Sequence, residues 1–175
     1  METMKIKNSK LLTRALLVLV CMALMPMVTN ARPNKDNVRS AYIAQLKKMS
    51  KAVNNFRTYF LLDITGDGIP ELFVRTGTCE ADAQLHIYTY NTCLTRLSTI
   101  SACHCTFYQG NGYFVVLWAH MGDWGTYKYF LKNGKLMRKE LNSGVLKDYG
   151  EGYPEPRESL VYEISFDNFG PIRNM

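Results

Sequence analysis

Residues 63–71 read DITGDGIPE, in which Asp63, Asp67 and Glu71 set carboxylates at four-residue steps around Gly66 and Gly68. Oxygen-rich spacing of this kind suits a hard divalent cation. With Asp63 as the first position, Thr65, Asp67, Ile69 and Glu71 fall at alternate places and offer a hydroxyl, two carboxylates and a backbone carbonyl to Ca2+. The same residues also make a turn without metal: Asp63 accepts backbone N–H groups, the glycines supply unusual dihedrals and Pro70 prepares an extended entry to a strand.

A second constellation lies in WAHMGDWG, where His120 and Asp123 stand between Trp118 and Trp124. An imidazole beside a carboxylate is the minimal general acid–base pair, which makes a small hydrolase one reading. The other reading is recognition: Tyr113, Trp118, His120 and Trp124 would present amphipathic rings to a protein or a carbohydrate. No serine nucleophile carries an informative motif nearby. His86, inside QLHIY, reads as a hydrogen-bonded or solvent-facing strand residue, and His104, inside CHC, as structural or exposed.

Cysteine chemistry depends on the compartment. The chain opens with Lys5, Lys7, Lys10 and Arg14 ahead of an apolar run from Ala15 to Met25, then Pro26 and the small residues before Arg32. This is the layout of a secretory signal peptide cleaved after Ala31, with a run shorter than the ~20 residues of a membrane span. The mature product would be a periplasmic, cell-surface or extracellular domain with no stable transmembrane span. Val20 before Cys21 does not suit lipid attachment. In an oxidising compartment Cys79, Cys93, Cys103 and Cys105 predict two disulfides, with a Cys103–Cys105 bridge disfavoured because residues two apart on a strand are held ~6.5 Å apart. Zinc held by these thiols with His86 or His104 is the alternative, although no C-x2-C pair accompanies them.

Without residues 1–31 the chain keeps 17 basic and 14 acidic residues, a net charge of +3, against +6 for the whole. The basic residues form no stripe beside the aromatics, so nucleic acid is not an expected partner. The remaining 144 residues suit one domain with a substantial core.

The elements that must position these groups follow from periodicity. Val38, Tyr42, Leu46, Met49, Val53 and Phe56 recur at helical spacing over 36–57, with Asn34 or Asp36 as cap and Lys47, Lys48 and Lys51 toward water. Strands are expected at 59–62, 71–75, 84–90, 94–100, 105–108, 113–118, 126–131, 135–141 and 159–166. Their joining turns include Asn133-Gly134, the strongest hairpin signal. Residues 143–158, rich in Gly, Pro and Glu, read as a surface loop. One helix before many strands predicts an α+β domain with an antiparallel meander.

DITGDGIPELFV resembles the D-x-D-G-D-G-x-x-E/D-L calcium loops of dockerins and FG-GAP β-propeller repeats. The longer stretch FLLDITGDGIPELFV, followed by LHIYTY, is similar to a class of uncharacterised exported bacterial domains with a helix ahead of the motif. Thr65 stands where those calcium loops carry an acidic residue, so the resemblance implies weak binding, around the ~10⁻⁴ to 10⁻³ M of extracellular modules. It implies no activity. The sequence therefore favours a non-enzymatic exported interaction domain braced by the 63–71 loop, with the hydrolase and a secreted protein inhibitor as alternatives.

Overall fold

The computed structural model describes residues 32–51, 56–146 and 152–175. The expected leader and its cleavage site lie outside them. Helix α1 (Lys35–Ser50) starts at Asn34, whose side chain accepts the Asp36 amide at 2.8 Å. Val38, Tyr42 and Leu46, four residues apart, are its buried stripe, and Lys47 and Lys48 face water as their spacing requires. The helix is shorter than expected: Phe56 and Arg57 already belong to a strand, while Val53 falls outside the described residues.

Among the described residues ten strands follow: β1 (Phe56–Leu62), β2 (Glu71–Gly77), β3 (Gln84–Tyr90), β4 (Leu94–Ser101), β5 (Cys105–Gln109), β6 (Tyr113–His120), β7 (Asp123–Lys132), β8 (Lys135–Val145), β9 (Ser159–Leu160) and β10 (Ile164–Ser165). A single-turn helix, α2 (Gly170–Arg173), comes last. The fold is α+β, as the periodicity predicts, and its sheets are open. The strands divide into two antiparallel five-stranded sheets, ordered β10-β1-β2-β3-β4 and β8-β7-β6-β5-β9. Each keeps a local meander, and the break falls at residues 102–104, where His104 takes a φ of 50°.

Alternation along the strands sorts the core into layers. Phe60, Leu62, Phe73, Leu85 and Ile87 of the first sheet meet Phe107, Phe114 and Val116 of the second. Phe60 stacks on Phe73 at 4.8 Å, and Phe73 meets Phe114 edge-on at 5.1 Å. On its other face the first sheet carries Tyr59, Leu72, Val74 and Tyr88 against Val38, Tyr42 and Leu46 of α1. The second sheet's outer face holds a smaller cluster of Tyr108, Val115 and Leu117, flanked by Tyr113, Trp124 and Tyr153.

The expected strand at 159–166 is instead two short pieces, β9 pairing with β5 and β10 with β1, so this segment belongs to both sheets. Between them, Arg75 of β2 ties the layers together. Only 7% exposed, it binds Glu163 at 2.9 Å, Glu80 at 2.7 Å and the Ala102 carbonyl at 3.1 Å. Among the described residues no helix is long and apolar enough to cross a membrane.

The expectation of two disulfides is corrected: Cys79, Cys93, Cys103 and Cys105 are all free. Cys93 sits in the β3–β4 turn, a full strand away from the other three. Seven residues of β3 span ~23 Å, far beyond the ~7 Å that a disulfide tolerates between α-carbons. Cys105 donates its thiol to the Cys103 carbonyl at 3.2 Å, and Cys79 lies in a bend held by Asp82.

Candidate functional site

A cleft of about 590 Å³ is lined by both sheets: Ile100 and Ser101 of β4, Cys105 of β5, Val116 and Trp118 of β6, Tyr127 and Tyr129 of β7, and Arg138 of β8. Two tight turns with positive φ at both central residues fix the register that assembles it. Met121-Gly122 (51° and 92°) closes β6 on β7, and Asn133-Gly134 (52° and 71°) closes β7 on β8. Counting back from them sets Trp118 opposite Gly125, Val116 opposite Tyr127 and Tyr129 opposite Arg138, all on the face that looks toward the first sheet.

Electrostatically the cleft is a cation among rings. The Arg138 guanidinium lies 4.8 Å from the Tyr127 ring centre. Burial raises the Tyr129 hydroxyl above its ordinary pKa, against the pull of Arg138, and burial pushes the Cys105 thiol up to about 12. Neither group is an anion at neutral pH, and a thiol so protonated is a poor nucleophile. Among the described residues no carboxylate or imidazole lines the cleft. It offers a permanent positive charge, aromatic walls and hydroxyl donors, the means of recognition.

The four residues expected to gather around one ligand are parted by the sheet. Trp118 lines the cleft, and His120 shares its face of β6. Tyr113 and Trp124 lie on the opposite face. There Tyr113 donates to Glu158 at 3.0 Å, and Trp124 borders a separate cavity of about 340 Å³ with Pro154 and Arg157. His120 and Asp123 are directly opposed across the β6–β7 turn, yet no ion pair among the described residues joins them. The His120 ring instead stacks on His104, 4.2 Å apart and tilted 14°. His86 is held between the hydroxyls of Thr76 and Thr99, both at 3.0 Å.

The acidic loop is organised by its own backbone. Asp63 accepts the amides of Gly66 at 2.7 Å and Gly68 at 2.9 Å, and these glycines have φ of 76° and 81°. Asp67 accepts the Ile69 amide at 2.8 Å. Glu71, 1% exposed, accepts from the Ile64 and Thr65 amides and from the hydroxyls of Thr65 and Thr89. Burial raises its pKa, with these hydrogen bonds pulling the other way. Thr65 touches both Asp63 and Glu71, while the Ile69 side chain is packed in the core beneath α1. Among the described residues no group of three or more His, Cys, Asp and Glu side chains stands where it could hold a metal ion.

Tyr127, Tyr129 and Arg138 are the members of the cleft that motif reading passes over. Their signal lay in the two turns, since fixing both registers puts all three on the same face of the sheet as Trp118. Comparison with protein-family models, curated proteins and solved structures finds no match to this chain.

Proposed function

We propose that the chain is an exported binding domain whose inter-sheet cleft holds an acidic carbohydrate without transforming it. The observation that carries this reading is the lining of the cleft: Trp118, Tyr127 and Tyr129 provide ring faces, and Arg138 provides a fixed cation for a carboxylate. Ser101 and the tyrosine hydroxyls are available to sugar hydroxyls. Walls borne on strands are already in place before the ligand arrives, so little ordering cost offsets the contacts. The 63–71 loop serves as the brace that starts β2.

The test is titration of the protein with uronic-acid oligosaccharides, their neutral counterparts and acidic peptides, followed by calorimetry. Uronic-acid oligosaccharides should bind best. Arg138→Ala should weaken them about tenfold or more, as expected for loss of a central anchor, with no such effect on the neutral sugars. Trp118→Ala should weaken both kinds of sugar, and His120→Ala neither. Preference for the peptides would replace carbohydrate with protein as the partner. Turnover of a sugar that disappears with His120→Ala in a folded protein would favour the hydrolase instead.

A further inference from the structure

On the outer face of the β7–β8 hairpin, away from the cleft, four lysines stand in two directly opposed pairs. The register puts Lys128 across from Lys139 and Lys132 across from Lys135, with Phe130 across from Met137 between them. Like charges facing each other across a ladder destabilise it. Among the described residues no ion pair relieves any of the four. Lys128 leans over the Tyr113 ring at 3.5 Å, and Glu158 on that face is engaged by the Tyr113 hydroxyl. Lys132, Lys135 and Lys139 are exposed, as are both residues of the turn at the hairpin's tip.

Edge protection does not account for the arrangement. β8 is the edge of its sheet, and lysines on an edge strand discourage pairing with another chain. That role needs charge on β8 only, whereas Lys128 and Lys132 are on the interior strand β7. Nor does the cleft or the cavity beside Trp124 account for it, because neither takes any of its lining from these lysines. All four are lysines, point charges on flexible stems and not the planar forks that read one anion's geometry. A cationic face with a half-buried Phe130 and an exposed Met137 at its centre is complementary to an anionic surface with an apolar layer beneath.

We infer that this face docks the protein on the anionic surface of a lipid bilayer. The lysines meet the headgroups, and Phe130 and Met137 lie at the boundary with the acyl chains. Each lysine near such a surface contributes roughly a factor of five to partitioning, screened by salt within a Debye length of about 10 Å. The surface is distinct from the carbohydrate cleft, so either can fail without the other.

Sedimentation of the full chain with vesicles of phosphatidylcholine, with and without phosphatidylglycerol, tests the inference. Wild type should partition to the anionic vesicles and be released by salt. Lys132→Gln with Lys135→Gln should lower that partitioning by roughly 30-fold, and Lys139→Glu should lower it while leaving the Tm unchanged or higher. The basic residues of the N-terminal segment are common to all these chains, so differences between them report the hairpin alone. Equal sedimentation of wild type and variants would overturn the inference, as would lysine-dependent binding of a soluble polyanion with no preference for anionic vesicles.

Discussion

Glu71 accepts four hydrogen bonds while 1% exposed, and two of its donors are the amides that open the acidic loop. Glu71→Ala removes the acceptor from those buried donors and should cost about 2–3 kcal/mol in chemical denaturation. Glu71→Gln should be far milder, because its oxygen can serve the amides while the threonine hydroxyls rotate to accept from its NH2 group. The raised carboxyl pKa fixes the sign of the pH effect. Between the ordinary glutamate value and the folded value the native state holds the extra proton, so its stability falls as pH rises through that window. Glu71→Gln should flatten this decline, and urea titrations at several pH values would reveal it. Asp63 and Asp67 likewise spend oxygens on loop amides, so the loop should melt at the same temperature in calcium and in chelator. A calcium-dependent rise abolished by Asp67→Asn would instead show the ion held at this loop. The turn role of Asp63 and the positive φ of Gly66 and Gly68 were legible from residue types. The burial of Glu71 was not, because it depends on Thr89 arriving from β3.

Elements were legible wherever a local rule sufficed. Alternation and turn residues located β1 to β8 to within a few residues, and Asn133-Gly134 marks its hairpin as its residue types require. The helix was overextended because Val53 and Phe56 continue its spacing, although Phe56 is claimed by pairing with Gly77. Cysteine count misled for a related reason: parity says nothing of distance, and β3 holds Cys93 away from the others. Arg75 shows what strand patterning cannot reveal, a charged residue on an inward face, matched by carboxylates from Glu80 and Glu163. Arg75→Ala should destabilise by about 2–4 kcal/mol, toward the lower end for a broken buried pair because both carboxylates keep some contact with water. Thermal and urea unfolding would measure it. Adding Glu163→Ala should cost much less than the two single losses combined, since they share one interaction.

At the scale of the molecule, the α+β class and antiparallel strand sense were readable, but the division into two sheets was not. It turns on a left-handed backbone conformation at His104, a residue type that gives no such signal, and on the dual pairing of 159–165. The cleft is a product of that division. Trp118 was identifiable as an exposed-ring candidate, whereas its partners became neighbours only once β6, β7 and β8 faced the first sheet. The carbohydrate and bilayer readings consequently occupy opposite faces of the same hairpin, and a protein resting on a membrane through its lysines would keep Arg138 turned away from the lipid.

Residues 159–165 give the two sheets a common fastener that ribosomes deliver after β1 to β8. Until it emerges, β1 and β5 each lack a neighbour, and Arg75 waits for Glu163. A nascent polypeptide interrupted before this point would display two unfinished borders at once, a double invitation to proteases and to stray strands. Emergence of this segment is thereby coupled to sealing of the two sheets.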